Sequence, residues 1–294
     1  MATTNSSRRV AVSVSPVWLV VIGILSVQFG AGIAKSLFDV AAPTTIVWLR
    51  LATSALILVL FVRPALRGKS RTDWVVAVAL GTTLGVMNWA FYQSFQRIPL
   101  GVAVTLEFLG PLTLAVVGSH RARDLVWVAL AAVGVGVLGL SGGGGSLNVA
   151  GVAFALTAGA CWAAYILLSA QTGRRWPGLD GLAVASVVAM LLLTPAAVSV
   201  GGSDLLDPHI LMIGAVVGLL SSVIPYSCEM VALRTMKPSV FSILMSLEPA
   251  AAALAGIVVL QEFLTWEQWI AMVCVVIASV GATRSSRQVA PAPD

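Results

Sequence analysis

Ten apolar segments run through this chain, and the first five and the last five carry the same pattern at matching places. Each segment approaches the length of about 20 apolar residues that a bilayer-spanning helix needs. The predicted spans are residues 17–37, 44–62, 74–96, 101–118, 125–140, 149–170, 179–200, 209–233, 239–260 and 266–283. Because each half holds an odd number of spans, the second half must cross the membrane upside down. Inverted repeats of this kind are typical of secondary transporters, where they build two gates around one central site.

The composition agrees with a multi-pass membrane protein. The chain has 294 residues, of which 59% are hydrophobic and 10% charged, and its mean hydropathy is +0.98. Soluble domains are less apolar. The first apolar run is longer than the core of a signal peptide and nine further spans follow it, so we predict that it is a membrane span. The loops are too short to hold a sizeable soluble domain.

The positive charge of the chain reports its topology. With the N-terminus in the cytoplasm, 14 of the 17 basic residues fall in cytoplasmic segments, which is the distribution that the positive-inside rule predicts. We therefore predict an all-α integral membrane protein with both termini cytoplasmic and no nucleic-acid partner. The predicted parts are a cytoplasmic tail at 1–16, a first five-helix repeat at 17–140, a glycine-rich external connector at 141–148, a second five-helix repeat at 149–283 and a cytoplasmic tail at 284–294.

Five charged residues lie inside predicted spans, where each costs about 2.5–3.5 kcal/mol on insertion scales and is a functional candidate by default. They are Lys35, Arg50, Glu107, Glu229 and Glu248. Three carboxylates and two cations leave one formal negative charge in the membrane. A bound ammonium group or a proton on a glutamate would compensate it, and a zwitterion fits both signs of charge. The alternative is that each glutamate is a structural hydrogen-bonding group.

Three prolines are predicted to break helices beside the glutamates. A proline has no N–H to donate to the carbonyl four residues earlier, so that carbonyl is freed. The freed carbonyls are those of Glu107 by Pro111, Ser221 by Pro225 and Met245 by Pro249. A carboxylate beside a free carbonyl, facing a water-filled cavity, favours a site for a cation or an ammonium group. Simple packing kinks are the alternative.

Polar groups on three further helical faces complete the candidate pathway. Gln28 and Lys35 share one face of span 1, and Lys35 either reaches the cavity or extends to the membrane interface. Arg50 pairs with Glu107 or with Asp39 as readily as it contacts a substrate. The remaining candidates are Asn88 and Tyr92 in span 3, Trp162 and Tyr165 in span 6, and Tyr226 beside Pro225. The aromatic stripes are more often packing than ligand sites, and the tyrosines are the better candidates because they can hydrogen-bond a solute.

The two-copy, ten-span plan resembles the EamA family of the drug/metabolite transporter superfamily, and several stretches resemble its bacterial threonine/homoserine exporters. These stretches are residues 30–38, 99–111, 159–166, 225–230 and 245–250. The resemblance implies a multi-pass exporter of small neutral amino acids in the bacterial inner membrane, driven by proton exchange. It also implies a cavity lined by spans 1, 3, 4, 6, 8 and 9, which would leave Arg50 of span 2 behind the cavity wall.

The sequence favours this reading over three alternatives. An exporter of the same fold with aromatic, cationic or nucleoside-like substrates differs only in cargo, and Lys35 and Arg50 favour solutes with a carboxylate. An intramembrane enzyme would need a nucleophile–base pair or a metal cluster, and the sequence offers neither. A channel would not need two gates. We expect no cofactor and no metal site, and a homodimer is possible.

Overall fold

Helices make up every regular element in the residues that the computed structural model describes, which are 15–117, 125–140, 148–233 and 236–286. They are α1 (Pro16–Ser36), α2 (Pro43–Val62), α3 (Arg71–Phe95), α4 (Leu100–Glu107), α5 (Leu109–Val117), α6 (Leu125–Leu140), α7 (Val149–Arg175), α8 (Asp180–Gly201), α9 (Pro208–Gly218), α10 (Ile224–Leu233), α11 (Pro238–Met245), α12 (Glu248–Leu260) and α13 (Trp266–Ser286). The predicted all-α fold is confirmed for these residues. Most of the predicted connector 141–148 and of both predicted tails lies outside them.

Nine segments in the described ranges are long and apolar enough to cross a membrane. They coincide with nine of the ten predicted spans. The fifth predicted span is the exception: α6 has 16 residues, and its described apolar stretch is Leu125–Val137. The described part of this helix covers about 24 Å at a rise of about 1.5 Å per residue, and residues outside the described ranges adjoin it on both sides.

Three of the spans are broken helices. The first break separates α4 from α5 at Phe108, and the third separates α11 from α12 at 246–247. Between α9 and α10 the chain forms a π-helical turn, Leu219–Val223. A proline follows each break within the first turn of the next helix, where its missing N–H is tolerated. These prolines are Pro111, Pro225 and Pro249.

Each end of the helix bundle has its own contacts between helices. At the Asp73 end, where α3 begins and α7 ends, Arg175 pairs with Asp73 over 3.3 Å and the indole N–H of Trp176 donates to the Asp73 carbonyl. At the Lys35 end, where α1 ends and α2 begins, Lys35 pairs with Glu262 of the α12–α13 loop. Both ion pairs join segments that are distant in sequence, so they fix which helices meet at each end.

Glycines allow α5 and α7 to touch backbone to backbone at the first break. A Cβ atom on Gly110 would collide with the carbonyl oxygen of Gly159, and a Cβ on Gly159 would lie 2.6 Å from the carbonyl oxygen of Glu107. Small residues commonly allow such close approach between membrane helices. The crossing therefore fixes the position of Glu107 at the end of α4.

Replacement of Gly110 by alanine is expected to destabilise the protein. Overpacking typically costs about 1–3 kcal/mol, and here the clash is with backbone, which cannot rotate away. Gly136→Ala on α6 is the matched control, because a Cβ there would meet no atom within 4 Å. Thermal unfolding in detergent should show a lower midpoint temperature for Gly110→Ala than for the unsubstituted protein. The midpoint temperature of Gly136→Ala should not be lowered. Equal midpoints would show that the helices separate without cost.

Candidate functional site

A cavity of about 200 Å³ lies at the centre of the bundle, beside the helix breaks. Its polar lining consists of Gln28, Arg50, Asn88, Glu107, Trp162, Tyr165, Ser221, Glu229 and Glu248. Its apolar lining includes Met87 and Phe91 of α3 and Met245 of α11. The wall is therefore built from α1, α2, α3, α4, α7, the α9–α10 turn, α10, α11 and α12. Nine of the predicted site residues meet here, from both halves of the chain: the polar residues above other than Ser221, and Pro225.

The helix breaks place the carboxylates at the cavity. Glu107 is the last residue of α4, Glu248 is the first of α12, and Glu229 is the sixth residue after the π-helical turn. Glu107 and Glu248 are only 9% and 8% exposed, and the charge of Glu248 is close enough to feel those of Glu107 and Glu229. Carboxylates that repel Glu248 from two sides in a low-dielectric site favour the binding of a proton or a cation.

Glu107 is a buried carboxylate without a hydrogen-bond donor from the described part of the protein. Within the described part of the chain, its side chain accepts no hydrogen bond and forms no salt bridge. Packing does not fully bury its carboxylate oxygens, which open onto the cavity. Glu248, in contrast, accepts a long hydrogen bond of 3.5 Å from the amide of Gln28. Glu107 is thus a buried acceptor that a ligand or a proton could satisfy.

Arg50 lies in the cavity wall itself, not behind it as the family plan implied. Its Nη2 donates to the carbonyl oxygen of Ser221 at 3.1 Å and its Nε to the hydroxyl of Ser222 at 3.5 Å. Pro225 has no N–H to donate to the Ser221 carbonyl. The π-helical turn directs this free carbonyl towards α2. The helix break in α9–α10 thereby holds the guanidinium at the cavity.

The guanidinium is the positive pole of the cavity. It lies close enough to Glu107 for their charges to interact, yet among the described residues no carboxylate forms a salt bridge with it. The ring of Tyr92 lies behind it, with 5.9 Å from the Arg50 Cζ to the ring centroid. A planar guanidinium in this setting can bind a carboxylate with two parallel hydrogen bonds.

The aromatic stripes predicted in spans 3 and 6 separate into two roles. Asn88, Trp162 and Tyr165 line the cavity. Tyr92 is fully buried and packs with Phe38 and Phe95 towards the Lys35 end, so it supports Arg50 from outside the cavity. The predicted candidate Tyr226 belongs to α10, and its side chain lies outside the described part of the structure.

Lys35 does not line the cavity. Its ammonium group donates to the carbonyl oxygen of Ile98 at 2.9 Å and pairs with Glu262. The other carboxylate oxygen of Glu262 accepts from the backbone N–H of Leu100 at 2.9 Å. This Lys35–Glu262 contact joins α1, the start of α4 and the α12–α13 loop. Sequence reasoning missed Glu262, although an acid directly after span 9 falls at the same predicted membrane face as Lys35.

A double-mutant cycle on Lys35→Met and Glu262→Gln is expected to show coupling of about 1 kcal/mol or more, since contacting residues in one network typically couple by 0.5–3 kcal/mol. Both side chains are largely buried, at 15% and 21% exposure. The cycle on Arg175→Met and Asp73→Asn is the control, and it should show less because Arg175 is 41% exposed. Thermal unfolding in detergent measures both. Purely additive effects at Lys35 and Glu262 would contradict an energetic role for the pair.

Two further cavities extend from Tyr165 towards the Asp73 end. One, of about 450 Å³, is an apolar groove that also borders Glu229 and runs along Ile57, Leu58 and Phe61 of α2. The other, of about 180 Å³, reaches Trp176 and Gly178 after α7. Towards the Lys35 end the side chains of Phe38 and Phe95 stack instead, with ring centroids 5.4 Å apart. The two further cavities thus lie on the Asp73 side of the central cavity and share lining residues with it.

Apolar spans, broken helices and a charged central cavity define a membrane transporter. Residues 149–284 match the EamA-like transporter family. Together with the relatives described next, this match shows that the chain belongs to the EamA-like transporter family.

The chain is 40% identical to the threonine/homoserine exporter RhtA of Salmonella typhimurium strain LT2 over 278 residues, covering 93% of this chain and 94% of that protein. It is 39% identical to RhtA of Escherichia coli strain K12 with the same coverage. A solved crystal structure of a protein with 18% sequence identity superposes with a TM-score of 0.59, covering 92% of this chain and 98% of the other. That structural likeness supports the fold alone. The predicted family and the membrane setting are confirmed.

Proposed function

We propose that this transporter exports small neutral amino acids of the threonine and homoserine kind across the bacterial inner membrane, by proton antiport and alternating access. The similarity to proteins named threonine/homoserine exporters gives the substrate class and the direction. The charges of the cavity supply a physical reason for that class.

The observation that carries the proposal is the placement of opposite charges around one small cavity. Arg50 offers two-point binding to a carboxylate, and Glu107, Glu229 and Glu248 offer acceptors to an ammonium group. An α-amino acid carries both groups on the same carbon atom. The cavity of about 200 Å³ also lies below the range of about 300–1,000 Å³ that is usual for drug-sized ligands.

Alternating access is supported by the difference between the two ends of the bundle. The cavities that extend from Tyr165 lead towards the Asp73 end, whereas the Lys35–Glu262 contact and the aromatic stack lie across the Lys35 end. With the predicted topology, the Asp73 end is cytoplasmic, so this conformation would accept substrate from inside the cell. The breaks after Glu107 and before Glu248 occupy matching places in the two halves, which supports the inverted repeat.

A second candidate function rests on the apolar groove. It borders Glu229 and Tyr165, which also line the central cavity, so an ammonium group at Glu229 could carry an apolar tail along α2. An exporter of aromatic or cationic metabolites would use such a groove. Arg50 has no partner in substrates of that kind, and this favours the amino acid.

Counterflow in proteoliposomes tests the proposal directly. Labelled threonine is loaded inside, and unlabelled amino acids, nucleosides or organic cations are offered outside, with and without a pH gradient. Exchange of threonine for homoserine, together with net threonine efflux that the gradient drives when no substrate is offered outside, is the expected result. Flux of organic cations without amino-acid exchange would keep the fold and support the second candidate. Exchange without gradient-driven net efflux would keep the substrate and overturn proton coupling.

A further inference from the structure

We propose that Asn88 selects substrates with a side-chain hydroxyl group, by presenting a fixed hydrogen-bond acceptor to the cavity. The inference rests on the proposed function and names the feature that distinguishes threonine or homoserine from small apolar amino acids such as valine. Binding of the two charged groups of an amino acid cannot make this distinction, because all neutral amino acids share them.

The orientation of the Asn88 amide is set by its own helix. Its Nδ2 donates to the carbonyl oxygen of Leu84 at 2.8 Å, one turn earlier in α3. The reverse orientation would bring two oxygens together, so chemistry assigns nitrogen to that position. Asn88 is 5% exposed and lines the cavity, and in the described part of the chain its Oδ1 has no partner. The side chain therefore offers an acceptor that cannot easily turn into a donor.

The other neutral polar groups of the wall are less suited to this role. Gln28 Oε1 and Ser221 Oγ are sealed by packing and cannot be reached from the cavity as it stands. Trp162 has only a donor, and the hydroxyl of Tyr165 both donates and accepts, so neither requires a donor from the substrate. Asn88 is the neutral group in the described wall that requires a hydrogen-bond donor from the substrate.

The surroundings of Asn88 make the demand selective. Met87 and Phe91 border the cavity beside it, so a substrate group placed there leaves water behind. A hydroxyl satisfies Oδ1, whereas the methyl group of valine, which has nearly the same shape as threonine, leaves the acceptor buried and unpaired. Sites that hydrogen-bond a substrate hydroxyl reject analogues that lack it far more strongly than apolar sites reject the reverse.

The test is the ratio of threonine to valine exchange in proteoliposomes. The unsubstituted protein is expected to prefer threonine by about tenfold or more. Asn88→Leu, which has a similar size and no polar atom, should bring the ratio to within about twofold while valine exchange continues. Asn88→Ala removes the amide without adding bulk and should give the same change in the ratio. It provides the test should the leucine variant fail to fold.

Gln93→Leu is the matched control, because Gln93 is a buried amide on the same helix whose contacts are with Thr44 and Arg97, away from the cavity. It should lower total exchange at most and leave the ratio unchanged. A preference that survives in both Asn88 variants, or equal loss of threonine and valine exchange, would overturn the inference and leave the proposed function standing. An unsubstituted protein that exchanges neither amino acid would overturn both.

Discussion

Glu107→Gln is expected to abolish threonine exchange while the protein still folds and inserts. Loss of one partner of a buried charge pair costs about 2–5 kcal/mol, which corresponds to a fall of about 30-fold to several thousand-fold. The amide keeps the shape of the side chain, and no hydrogen bond is lost because the carboxylate accepts none within the described chain. Counterflow with protein quantified by size-exclusion chromatography separates lost transport from lost folding.

The control for Glu107→Gln is Glu267→Gln, the same chemical change in the first turn of α13 and outside the cavity wall. We expect it to transport normally. Glu229→Gln should behave like Glu107→Gln. Near-normal flux in both cavity variants would remove these carboxylates from the mechanism and leave Arg50 without a counterpart.

Counterflow and pH-driven export together distinguish the two jobs that a carboxylate can have. A glutamate that binds the ammonium group is needed for both. A glutamate that only carries the proton is needed for pH-driven export but not for exchange, since exchange moves no net proton. Among Glu107, Glu229 and Glu248, the variant that still exchanges threonine but no longer responds to a gradient would identify the proton carrier.

The broad fold was predictable because its physical cause is local. About 20 consecutive apolar residues suffice to indicate a span, and no knowledge of neighbouring helices is needed. The helix breaks are local as well, because a proline removes a hydrogen bond within its own helix. For Ser221 the consequence is not local. Pro225 predicts a free carbonyl, but only the packed structure shows that Arg50 donates a hydrogen bond to it.

Contacts between distant segments could not be predicted in the same way. Lys35 and Glu262 lie on opposite ends of the sequence, and their contact depends on how α1, α4 and α12 are arranged. The sequence did not decide whether Lys35 reaches the cavity or extends to the membrane interface. The structure places it in an ion pair at one end of the bundle, so its formal charge is no longer available to a substrate in this conformation.

The position of Arg50 was missed for a related reason. The family plan assigns the cavity to six spans and leaves span 2 outside, whereas the arginine side chain is long enough to reach from α2 to the π-helical turn. A turn of that kind changes which residues face the cavity, and its presence is decided by packing. The same holds for the stripe in α3, where Asn88 faces the cavity and Tyr92 does not.

Arg50→Ala should reduce threonine exchange by about 30-fold to several thousand-fold, because the substrate carboxylate would enter a cavity that holds only negative charge. Arg50→Lys restores the charge but not the planar fork or the two contacts with the α9–α10 turn, and we expect it to recover only part of the activity. Arg97→Ala is the matched control, since Arg97 contacts Gln93 and Gln96 outside the cavity wall.

The amino alcohol that corresponds to threonine separates recognition from structure, because it keeps the ammonium and hydroxyl groups and lacks the carboxylate. If Arg50 binds the carboxylate, the unsubstituted protein prefers threonine to this analogue, and Arg50→Ala removes the preference by losing threonine exchange alone. If Arg50 only holds the π-helical turn in place, both substrates lose exchange in proportion and their ratio stays constant. The second outcome would assign Arg50 to the scaffold and require another group to bind the carboxylate, for which Lys35 would have to leave Glu262.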